Sequence, residues 1–95
     1  MINLFKKPDF DSLSEQWEIE TSKANDYIVA GKHIEGLDYL LKSVKTSKKL
    51  NDNYGDIYHG HDDFMGHVMQ TQMMFTEDPD AYTHKIWYEL NKYTN

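Results

Sequence analysis

The sequence predicts an all-α fold, about four helices packed as antiparallel hairpins in a single domain over residues 1–95. Three observations predict it. Apolar side chains recur at three- and four-residue steps along most of the chain, glycines and prolines stand singly between those stretches, and helix-start patterns precede two of them. The length suits one domain, since domains typically hold about 100–150 residues.

A first helix is expected over about Leu13–Ala30. Ser12 followed by Glu15 is a capping-box pattern, Leu13, Trp17, Glu20/Thr21, Ala24, Tyr27 and Ile28 keep helical spacing, and Gly31 suits the stop. Residues 1–11 are expected to form an irregular arm, with Ile2, Leu4, Phe5 and Phe10 available to tuck against the bundle. A second helix is expected over His33–Leu50, with Ile34, Leu37, Leu40/Leu41 and Val44 inward. Lys42, Lys45, Lys48 and Lys49 would then occupy its last turns and complement the helix dipole. The short break between the two helices implies a tight antiparallel hairpin.

The third segment, Asp52–Phe75, carries Tyr54, Tyr58, His61, Met65, Val68, Gln72 and Phe75 as a seam of alternating four- and three-residue steps. Gly55, Gly60 and Gly66 each cost a helix roughly 1 kcal/mol relative to alanine. They either break the segment near Gly60 or admit a close neighbour. A fourth helix opens at Asp78-Pro79-Asp80, where Asp78 caps and Pro79 takes the first helical position. Tyr82, Ile86, Leu90 and Tyr93 mark its inner stripe, which leaves Trp87 and Tyr88 outside it; with Tyr93 and Tyr82 they form the expected exposed aromatic patch.

Within residues 17–50, Ala24, Tyr27, Gly31, Gly36, Leu40 and Ser43 fall where small and large side chains alternate in one tetratricopeptide-type hairpin, which this stretch resembles. Gly55, Tyr58, Asp63-Phe64 and Pro79 place a poorer copy after it. Glu20, Lys23 and Thr71 depart from the family pattern, and the copies repeat at about 31 residues rather than the family's 34. The resemblance implies a peptide- or protein-binding scaffold.

Composition narrows function. With no cysteine, disulfides, thiolate-ligated zinc and thiol catalysis are excluded. All ten basic residues are lysine, and the missing arginine argues against sequence-specific nucleic-acid recognition. The net charge of −6 arises in the second half, where Lys85 and Lys92 face Asp52, Asp56, Asp62, Asp63, Glu77, Asp78, Asp80 and Glu89. Such a half repels nucleic acid and membranes and favours a protein partner with a basic surface. Apart from Glu89, those acids are the candidate partner-binding residues, together with Trp87 and Tyr88. A homo-oligomer would hide part of the aromatic surplus. No stretch approaches the ~18–20 apolar residues of a membrane span, so a cytoplasmic location is expected.

The sharpest chemical pattern is His59, Asp63 and His67 at i, i+4 and i+8 on one helix face, a metal-ligating stripe with His61 or His84 as a further ligand; three ligands in line close poorly around one ion, so a histidine with Asp63, completed by a second chain, is the better-fitting form. The competing reading is a solvated polar face with His61 as a satisfied core histidine. Met65, Met69, Met73 and Met74 fit a core stripe better than a soft partner groove. No serine has a glycine-flanked elbow and no glycine-rich phosphate loop exists, so neither enzyme activity nor a cofactor, beyond such a divalent metal, is expected. The chain is similar in style to small accessory proteins of phages and mobile elements, which implies a stoichiometric adaptor or an inhibitor occluding a basic groove. A metal-binding helical protein and a structural subunit of a larger assembly are the alternatives.

Overall fold

The computed structural model describes residues 9–94. The chain forms α1 (Phe10–Val29), α2 (His33–Tyr54), α3 (His61–Met74), a 3-10 turn at Phe75–Glu77, α4 (Pro79–Tyr82) and α5 (Lys85–Thr94), with no strand among the described residues. The all-α expectation is met. Among those residues no helix is long and apolar enough to cross a membrane.

α1 starts earlier than the capping box indicated. Asp9 is the N-cap, and its carboxylate accepts from the Ser12 backbone N–H and hydroxyl, both at 3.0 Å. Ser12 is therefore inside the helix. The first turn is held further by Phe10, whose ring meets Tyr54 edge-on at 5.2 Å. Phe10, expected in the arm, instead opens the helix; the rest of the expected arm, with Ile2, Leu4 and Phe5, lies outside the described residues. At the other end Gly31 adopts φ +80°, the left-handed conformation that only glycine takes cheaply. Its N–H donates to the Ile28 carbonyl and that of Lys32 to Tyr27, which closes the helix as a Schellman motif.

The reversed chain lays α2 against α1 closely. A Cβ on Gly36 would stand 2.7 Å from Ile28 Cγ1, so glycine is required by the approach itself. Leu37, Leu40, Leu41, Val44 and Leu50 are buried along α2, which touches every other α-helix. α2 continues past Leu50 to Tyr54, across the boundary between the two tetratricopeptide-like copies. Lys42, Lys45, Lys48 and Lys49 consequently sit mid-helix, and no basic residue occupies its last turn. Their expected dipole role is not met.

Residues 55–60 break the expected third helix, and α3 begins only after Gly60. The fourth segment also divides. The Thr83 hydroxyl donates back to the Pro79 carbonyl, and His84 Nδ1 accepts from the Ile86 N–H, so α5 restarts in a new phase. Trp87, Leu90 and Thr94 then point inward. The main core joins Ala24, Leu37, Leu40, Leu41 and Val44 of the hairpin to Val68, Phe75, Ala81, Trp87 and Leu90.

Candidate partner-binding surface

The acids of the second half divide between the two ends of α3. Asp52, Asp56, Asp62 and Asp63 gather where α2 passes into α3; Glu77, Asp78 and Asp80 lie where α3 passes into α4. The helix between them has 14 residues and spans about 21 Å at 1.5 Å per residue. Asp62, Asp63 and Asp80 occupy first helical turns, where a carboxylate favours the positive end of the dipole. Part of the acidity therefore serves the helices themselves.

Two of the acids are engaged internally. Asp52 pairs with Lys48 at 3.0 Å. Asp78 caps α4 through the Asp80 N–H and also bonds His33 Nδ1 at 2.5 Å. The His33 hydrogen bond holds the Asp78 carboxyl below the usual aspartate value, against the opposing effect of desolvation. Asp56, Asp62 and Asp63 are exposed, and no ion-pair partner is found for them among the described residues.

The aromatic part of the expected surface needs correction. Trp87 is buried: its indole N–H donates to the Gln72 carbonyl at 3.4 Å, and its ring lies edge-on to Tyr82 and Tyr88. The break at Thr83–His84 caused the change, because it turned α5 relative to the stripe that assumed one helix from Pro79. Tyr88 and Tyr82 remain exposed on either side of the indole. Met69, Met73 and Met74 are also exposed, at 47%, 63% and 70%, so the expected methionine core reduces to half-buried Met65.

The metal-ligating stripe is not assembled. His59 lies in the break before α3, so only Asp63 and His67 share a helix, and no group of three metal-capable side chains converges among the described residues. His84 is committed to capping α5. His61 is half-buried with its Nδ1 2.8 Å from the Ser47 hydroxyl, which also meets the Tyr58 hydroxyl at 2.6 Å. This serine–histidine contact was not foreseen, since 14 residues and a chain reversal separate the pair. Ser47 is completely buried, so no substrate reaches its oxygen. The contact fastens α3 to α2.

Two clefts accompany the surface. One of about 440 Å³ lies between α2, the start of α3 and α5; Lys48, Asp52, His61, Asp62 and Lys92 line it. Two lysines and two aspartates line it, so the cleft carries no excess of either charge. A smaller, largely apolar groove of about 180 Å³ runs between α1 and α3 over Leu40, walled by Ile28, Phe64 and Val68. The chain matches no family model, no curated protein and no solved structure.

Proposed function

We propose that the protein is a non-enzymatic binding module, an adaptor or inhibitor that engages a basic protein surface through the corner between α2 and α3. One observation carries the reading: Asp56, Asp62 and Asp63 stand exposed on one corner with no ion pair among the described residues, while buried Glu20 and Gln72 are bonded inside the fold. A carboxylate cluster kept in water loses little on folding and gains most from a partner's ammonium or guanidinium groups. Tyr82 and Tyr88, at the other end of the molecule's C-terminal half, supply apolar contact for a partner large enough to reach both.

The test is parallel affinity capture from a cell extract with the native chain and with Asp56→Asn/Asp62→Asn/Asp63→Asn. The reading expects a stoichiometric protein partner that the triple variant loses, and whose retention falls steeply between low and moderate salt. Equal retention by both chains, salt-insensitive binding, or no stoichiometric partner would refute it.

A further inference from the structure

α3 is fastened to the hairpin at its two ends by different chemistry. At its start the Ser47 hydroxyl holds His61 and Tyr58 in a part-buried contact that involves no carboxylate. Beyond its far end, His33 at the start of α2 meets Asp78, 45 residues away, in an imidazole–carboxylate pair that is about one-third exposed. The ion pairs Lys42–Asp38 and Lys48–Asp52 stay within α2 and tie nothing together across the fold. Water and protons therefore reach the His33–Asp78 link directly.

We propose that His33 and Asp78 form a pH-gated clasp whose release lets α4 and α5 swing away from the hairpin about the Ser47–His61 contact. The elements beyond the clasp are suited to such motion. α4 is one turn and α5 has 10 residues, and isolated helices shorter than about 12–15 residues are marginal in water. α5 keeps its order through packing, so an opening costs less than global unfolding. The His33 ring also lies against Phe75, centroids 4.8 Å apart, so loosening the pair loosens the turn that leads into α4.

The clasp depends on the Asp78 carboxylate, which accepts from the His33 ring nitrogen. Asp78 has a folded pKa below its unfolded one, so its share of the clasp is present above the unfolded value and vanishes as pH falls through the folded value, below about 4. The charged groups around the pair are Lys32 before α2, Glu35 on α2 and Asp80 on α4.

The experiment is amide-exchange protection read by NMR from about pH 3 to 8, comparing Leu90 in α5 with Val44 in α2. In the native chain, Leu90 protection should hold above about pH 5 and fall by about tenfold towards pH 3, the size of one lost charge-assisted hydrogen bond, with little change at Val44. Asp78→Asn keeps a good N-cap but removes the titrating carboxylate. His33→Asn keeps a donor near the Nδ1 position and removes the imidazole. Each should flatten the Leu90 profile at a lower level, and either variant suffices should the other fold poorly. Parallel loss at Leu90 and Val44, or a native-like profile in the variants, would overturn the clasp.

Discussion

In the hairpin, helices of 20 and 22 residues bury a continuous apolar row, turn at one glycine and press together at another. In the C-terminal half, helices of 14, 4 and 10 residues meet through single polar side chains reaching across the fold. Gln72 is the centre of that half. Its amide donates to the Trp87 carbonyl and the Asn91 side chain, its side-chain oxygen accepts from Thr94, and its backbone carbonyl takes the Trp87 indole. The hairpin has one comparable contact: buried Glu20 accepts from Thr46 at 2.6 Å and from Gln16 at 3.2 Å. Long helices average their stability over many apolar contacts, whereas short ones concentrate it in a few bonds. The contrast implies that the hairpin is the cooperative body of the protein and the C-terminal half its dependent part.

Matched core deletions test that asymmetry most severely. Leu37→Ala and Leu90→Ala each empty a fully buried site and should cost about 2–5 kcal/mol. Leu37→Ala is expected to lower the midpoint of the whole molecule, seen equally by exchange in α2 and α5. Leu90→Ala should deprotect α5 first while α2 amides stay protected. Simultaneous loss in both variants would show one cooperative unit and end the comparison.

A smaller effect is expected at Gln72. Gln72→Ala removes the donor to the Trp87 carbonyl and Asn91 Oδ1 and the nearest acceptor of the Thr94 hydroxyl, and should cost about 1–3 kcal/mol, confined to α3 and α5. Chemical denaturation with a reporter in each half measures it. A loss below a few tenths would mean that water replaces the amide and that this half is held by apolar packing after all.

The same asymmetry governs how far the structure could be read from residues. Leu37, Leu40, Leu41 and Val44 repeat with one period, and Gly31 marks a stop through its own conformation, so the hairpin was legible locally. The turn of α5 was not. It depends on His84 accepting from Ile86 and on Thr83 bonding back to Pro79, contacts that interrupt a pattern which otherwise reads as one helix. Once that phase shifts, Trp87 moves from the surface to the core. At the candidate surface the acids were visible as composition, but their division between two corners and the loss of Asp78 to His33 depend on pairs 45 residues apart. The His59–Asp63–His67 stripe is interrupted for a related reason: it needed a continuous helix through Gly60, and the chain breaks there.

The smallest expected effect lies at the start of the hairpin. Asp9 is the one side chain that satisfies the first-turn N–H of Ser12, and it does so on the outside of the protein where water can partly replace it. Asp9→Ala should therefore cost about 1 kcal/mol, the usual value for a lost N-cap. Asp9→Asn or Asp9→Ser should recover most of it, because the cap needs an acceptor more than a charge. If the hairpin is the cooperative body, that penalty will appear in the global melting midpoint although the change is at the chain's exposed edge. If the penalty is instead confined to exchange in the first turn of α1, the helix frays independently, and the hairpin's cooperativity begins only where Leu13 enters the core.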